Sequence, residues 1–251
     1  MLVLVAAYYL SDHRTLPWLL FTLGCVLVLM LQHDPGTALI YLCTVLLLYW
    51  ACTGNLIFSL SGLLLGCGVF WYGYRFFEHI RPGVSDWLKV ISAENLSDKM
   101  TDRGISAIAE GGLWGAGLGL SSPSAFPAYE SGYAFAVLCH QFGLIFSLCV
   151  LLIFAVLIWR GTEIAMEARH SFHGLLALGS VIMTGLQAFI NVGGVFRLIP
   201  PAGVSMPFLS YGGSSLISCL CLIGLIQGAG SLNEDSVDEE IRLGLFERSE
   251  E

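Results

Sequence analysis

The sequence predicts an all-α fold: a polytopic transmembrane helix bundle of six spans plus an N-terminal helix fragment, with one long extracytoplasmic loop. Three observations predict it. Apolar residues make up 56% of the 251-residue chain and charged residues 12%, against roughly 25% charged in a soluble domain. Apolar runs of helical length recur along the chain, and a bilayer core asks for ~20 such residues per crossing. The polar breaks between them are short, with the single exception of residues 75–132.

The elements follow in order. Run 2–10 is too short to span, and it has neither a basic n-region nor a small-residue cleavage site, so it reads as the stump of a helix and not as a signal peptide. Runs 16–31, 37–52, 56–74, 133–159, 172–195 and 208–230 read as the six spans. Segment 75–132 holds five of the eleven basic residues and a glycine-rich patch; it cannot cross a membrane, and loops of this length usually carry function. Residues 232–251 carry eight carboxylates against Arg242 and Arg248, which accounts for −6 of the formal −8. They read as a solvated acidic tail. The simplest partition is therefore a membrane domain at 1–231 with its long loop at 75–132, followed by an acidic cytoplasmic tail at 232–251.

Orientation comes from the short connections, because long loops escape the charge rule. Arg14, Arg160 and Arg169 fall on one side and only Arg197 on the other, which places the tail inside and the long loop outside. Nothing in the chain suits a nucleic-acid backbone. The eight cysteines lie within or at the ends of apolar stretches and read as small packing residues. Cys219 and Cys221, two apart, point in different directions on a helix. His13, His33, His79, His170 and His173 have no ligand spacing, so no metal is assigned.

Four polar stretches interrupt this apolar background. In Leu31-Gln32-His33-Asp34-Pro35-Gly36-Thr37, Asp34 precedes Pro and an apolar run, the signature of a helix N-cap. In Glu110-Gly111-Gly112-Leu113-Trp114-Gly115-Ala116-Gly117-Leu118-Gly119, Gly111 and Gly112 permit tight turns and close backbone approach to a ligand. No Lys-Ser/Thr pair follows, as a nucleotide loop would require, and such turns are more often structural. Residues 122–136 bring a polar segment to the start of a long helix, whose dipole favours an anion; Glu130 is the only carboxylate there. Residues 200–215 run through Ser210, Tyr211, Gly212 and Gly213 into the last span, with small residues that allow close helix packing. Upstream, Gln187, Asn191 and Arg197 place polar groups where apolar ones are cheaper, which points to function.

In this order and spacing the stretches resemble those of the SEDS family (shape, elongation, division and sporulation). Pro207-Phe208-Leu209-Ser210-Tyr211-Gly212-Gly213-Ser214-Ser215 is the most specific, supported by Gln187-Ala188-Phe189-Ile190-Asn191-Val192-Gly193 and Gly111-Gly112-Leu113-Trp114-Gly115. The resemblance covers nearly the whole chain apart from the tail. It implies a ten-span protein of the bacterial cytoplasmic membrane that polymerises lipid II into peptidoglycan glycan strands, beside a class B penicillin-binding protein transpeptidase. On that pattern the chain begins inside the fourth span and lacks the first three.

The implied chemistry is attack by a sugar 4-hydroxyl on the anomeric carbon of a second lipid-linked sugar, with undecaprenyl pyrophosphate leaving. A carboxylate base activates the hydroxyl, and cations or backbone donors stabilise the leaving group. By resemblance, Arg81, Asp34, Gly111, Gly112, Gln187, Asn191, Arg197, Ser210, Tyr211, Gly212 and Gly213 are the substrate-binding candidates. The acid, however, is expected at the position of Gly132. Of the expected paired basic residues only Arg81 remains, opposite Gly83, an expected acidic pair reads His140-Gln141, and Ala116 stands for a lysine found in many relatives.

Glu130 is the one substitute acid, two residues upstream, and loss of catalysis outweighs its recruitment. The competing classes are a lipid II-binding or scaffold paralogue without turnover and, last, a lipid II flippase. The residues point to no cofactor, although the resemblance allows a divalent cation such as Mg2+.

Overall fold

The computed structural model describes residues 2–11, 15–32, 34–55, 57, 60–62, 64, 66, 68, 101–117, 132–168, 170–196, 198–200 and 203–249. Among them every regular element is helical: α1 Leu2–Ser11, α2 Thr15–Leu31, α3 Pro35–Thr53, α4 Thr101–Gly111, α5 Ala134–Glu167, α6 Ser171–Val195 and α7 Gly213–Ser249. Four are long and apolar enough to cross a membrane, within Gly36–Thr53, Ala134–Glu167, Ser171–Val195 and Gly213–Leu232.

These are four of the six expected spans. The run at 16–31 forms α2, whose 17 residues make it a shorter apolar helix, and most of the run at 56–74 lies outside the described residues. The stump at 2–10 is a true helix and is buried along Leu2, Val3, Ala6, Ala7 and Leu10. The last span starts at Gly213 instead of 208, because Pro207–Ser210 folds as a turn. The acidic tail, expected as a solvated extension, continues α7 as helix through Ser249. Its Glu, Leu and Arg residues are all good helix formers.

The core forms around α6. Half of its apolar window (50%) is buried inside the protein, against 17% for α5, so α6 is the central post and α5 a peripheral one. Small residues make this close packing possible: a Cβ at Gly179 would lie 2.7 Å from Val3 and 3.0 Å from Leu48. One cluster joins α1, α3 and α6 through Leu2, Ala6, Val45, Leu48, Leu175 and Leu176. A second brings Ile40 of α3 to Ile190 of α6 and to Val204. Early α3 thus meets late α6, and later α3 meets early α6, so the two run antiparallel.

That order puts the start of α3, the start of α5, the end of α6 and the start of α7 at one face of the bundle. Buried hydroxyls are satisfied within their own helices: Thr44, Ser147, Ser180 and Thr184 each donate to the carbonyl four residues back, at 2.7–2.9 Å. No uncompensated polar group arises there. Cys219 is buried and Cys221 exposed, so the two thiols do diverge.

Candidate functional site

All four polar stretches have described residues; the first, third and fourth lie at this face, where Asn191 joins the third to the fourth. The first begins α3. Asp34 accepts the Thr37 N–H at 3.1 Å and the Thr37 hydroxyl at 2.7 Å, with Pro in the first turn. This is the N-cap anticipated from the sequence, and it satisfies an end-of-helix donor while matching the helix dipole.

The second stretch is fitted into a break in α5. At Gly143 the backbone leaves helical geometry (φ 85°, ψ 170°), which frees carbonyls before the break and N–H groups after it. The glycine-rich loop after α4 takes up both sets. Ala116 N–H donates to the His140 carbonyl at 2.8 Å and Gly117 N–H to that of Gln141 at 3.2 Å. Leu144 N–H donates to the Gly112 carbonyl at 3.0 Å and Ile145 N–H to that of Leu113 at 3.4 Å. Broken helices at membrane depth persist only when something else satisfies the freed groups, and here it is this loop.

The approach is close enough to require glycine. A Cβ at Gly111 would sit 2.5 Å from the Cys139 carbonyl oxygen, and one at Gly115 or Gly143 would run into the Gln141 or Leu113 carbonyl oxygen. Gly112 has φ +56° with open space around it. Gly111 thus faces α5 backbone, whereas Gly112 lends its carbonyl to the break. Alongside, the buried His140 holds its Nε2 3.4 Å from a Glu110 carboxylate oxygen. This histidine stands where the resemblance expects an acid, and the nearby carboxylate comes from α4.

The third junction involves Gly132, just before α5, and the fourth stretch. The buried Asn191 amide of α6 donates to the Val204 carbonyl at 2.7 Å and to the Gly132 carbonyl at 3.2 Å. A Cβ at Gly132 would lie 3.6 Å from Gly203 Cα, an ordinary contact. On the other side, Tyr133 packs against Gly104 of α4 and shares a buried cluster with Ala188 and Met206. Residue 132 is held from two directions.

Beyond Met206 the chain turns tightly. The Ser210 hydroxyl accepts the Met206 N–H at 2.7 Å, the Ser210 N–H returns to the Met206 carbonyl at 3.1 Å, and Phe208 adopts φ 62°. Ser205 and Ser215 hydroxyls meet at 3.2 Å, pinning the turn to the first residues of α7. Tyr211 is fully turned outward, Gly212 and Gly213 lead into α7, and Gln187 lies half-buried one turn before Asn191.

Of the sequence-derived candidates, Gly132 and Asn191 therefore touch, and Ser210 to Gly213 continue from the same loop. Gly111 and Gly112 sit farther along α5, beside His140, eight residues or about 12 Å from Gly132. Glu130, Arg81 and Arg197 lie outside the described residues. No group of three or more His, Cys, Asp or Glu gathers among the described residues. Gly115 and the Glu110–His140 pair fall in stretches the sequence singled out but were not named as site residues; Gly143 is the addition, and an isolated glycine within an apolar helical run is its only sequence signal.

Comparison with known proteins gives one consistent result. The family model described as cell cycle protein, FtsW/RodA/SpoVE, matches residues 4–233. Peptidoglycan glycosyltransferase RodA of Mycobacterium leprae is 32% identical over 201 residues, covering 80% of this chain and 43% of that protein. A probable peptidoglycan glycosyltransferase FtsW of Geobacter sp. is also 32% identical, over 84% of this chain and 58% of that one. The chain spans about half the length of these relatives. A chain from a solved peptidoglycan synthase complex superimposes with a TM-score of 0.69 at 23% identity, covering 93% of this chain and 67% of that chain; the two share a fold.

Proposed function

Because the chain belongs to the FtsW/RodA/SpoVE family, a group of multi-pass bacterial cytoplasmic membrane proteins, we propose that it serves cell-wall synthesis as a lipid II-binding member whose polymerase activity is impaired. The observation that carries this reading is Gly132. The residue stands at the entrance to α5 with its carbonyl held by Asn191 and its Cα against Gly203. In the family pattern an acid occupies this place, taking the proton from the attacking sugar hydroxyl. Glycine has nothing to take it with.

The contacts among the described residues around the gap support binding without turnover. The Asn191 bridge, the Ser210 turn and the start of α7 are assembled at the same face. Glu130 is a poor replacement, since it lies two residues upstream and a misplacement of about 1 Å can cost about a hundredfold in rate. A class B penicillin-binding protein transpeptidase is the partner this reading implies.

The test uses the purified chain in lipid bilayers with fluorescent lipid II. Binding without glycan strands is the expected result, and Glu130→Ala should leave both readouts unchanged. Strands made by the unmodified chain and abolished in Glu130→Ala would overturn the proposal and make Glu130 the base.

A further inference from the structure

The glycines of the 111–117 loop are accounted for by its fit to the α5 break, but the two large apolar residues at its tip are not. Leu113 is 57% and Trp114 84% exposed, although each stands in a loop whose backbone is tied to a transmembrane helix. We propose that this tip is a membrane-interface anchor, with Trp114 seated in the lipid headgroup and upper acyl region at the face where the long loop lies.

Depth along α5 is the first support. Trp159 is 69% exposed, and the adjacent Arg160 forms a solvent-facing ion pair with Glu163 at 2.8 Å. The Trp159 indole N–H also donates to Glu163, at 2.7 Å. An aromatic ring beside a paired charge marks one membrane–water boundary. From Arg160 back to Gly143 is 17 residues of helix, about 25 Å at ~1.5 Å per residue, and the hydrocarbon core is ~30 Å thick. The break, and the loop bonded to it, therefore lie close to the opposite boundary.

Continuity of surface is the second support. Between the two levels α5 shows Leu148, Leu152, Ile153 and Val156 outward, the face that lipid covers in a helix of this exposure. Exposed Leu144, Ile145 and the stacked Phe142–Phe146 pair carry that face up to the loop. Ile145 N–H is bonded to the Leu113 carbonyl, so the loop tip adjoins this lipid-covered surface. Backbone pairing is the third. Loop carbonyls and N–H groups engaged by the break do not need water, so the tip can lie in a region of low dielectric. Trp and Tyr favour this zone because the ring is apolar and the indole N–H is polar.

The anchor does not depend on catalysis, and its test needs no substrate. The full chain is placed in nanodiscs of phosphatidylcholine brominated at a shallow or a deep acyl position, with Trp18, Trp50, Trp71, Trp87 and Trp159 replaced by Phe. Trp114 emission should be blue-shifted and should lose more intensity to shallow bromine than to deep bromine or aqueous iodide. If that variant does not fold, the spectrum lost between the native chain and Trp114→Phe supplies the same comparison. Stronger quenching by iodide would overturn the proposal by placing the ring in water. Quenching by neither would overturn it by placing the ring under protein, and strongest quenching by deep bromine would remove it from the interface.

Discussion

At the scale of single residues, the α5 break depends on Gly111, Gly115 and Gly143, where a Cβ would meet backbone, and the α5 entrance on one asparagine with two donors in use. Gly143→Ala puts a side chain into a nearly glycine-only region of backbone space and against the Leu113 carbonyl, a strain of order 1–3 kcal/mol before the clash is counted. Thermal unfolding in detergent should show a clearly lowered midpoint for Gly143→Ala and Gly115→Ala. Gly224→Ala, in open space on α7, should be neutral within about 0.5 kcal/mol. Asn191→Ala leaves the Gly132 and Val204 carbonyls without their donor, at about 1–3 kcal/mol for each buried group. Asn191→Asp should be no better, because an ionised carboxylate accepts and cannot donate. Equal stability of Asn191→Asp and the native chain would show that the bridge is not made. The glycine pattern was visible in the sequence as a motif, but its purpose was not. Nothing in Gly-Gly-Leu-Trp-Gly names the helix whose break, at Gly143, it completes.

At the scale of elements, each helix was legible where apolar runs and caps agreed. α3 is the plainest case: an Asp-Pro start and Gly54 in left-handed geometry at its end are both sequence signals. Asp34→Ala should cost about 1 kcal/mol as a lost cap, and Asp34→Asn should cost much less, since asparagine caps equally well. If the two variants lose the same amount in a denaturation series, the charge and not the cap is what matters there. α5 was legible as a span but not as two segments, because an isolated glycine in an apolar run is tolerated in an unbroken helix as well. Its break is a tertiary event, made affordable by the loop that follows α4. The turn at 207–210 also shortened the last span, since Pro207 and a hydroxyl clasp on Met206 compete with helix for the same backbone groups. The helical continuation through Ser249 was missed for the opposite reason: charge density read as solvation, while propensity still favoured helix.

At the scale of the whole molecule, hydropathy alone identified a membrane helix bundle, because a chain this apolar has no other solvent in which to fold. The gathering of Asp34, Gly132, Asn191 and Ser210 to one face follows from antiparallel α3 and α6, and span order had placed them on one side. What order could not give is contact: Asn191 and Gly132 are 59 positions apart and meet only through the buried end of α6. This contact fixes residue 132 at the entrance to α5, the place where the proposed function calls for a carboxylate. A Cβ at residue 132 would meet Gly203 Cα at 3.6 Å, an ordinary contact. The most direct measurement is therefore the rate of glycan-strand formation from lipid II by Gly132→Asp beside the unmodified chain. No strands from the unmodified chain and measurable strands from the aspartate variant are predicted; strand formation by the unmodified chain, undiminished or reduced by the aspartate, would contradict the account.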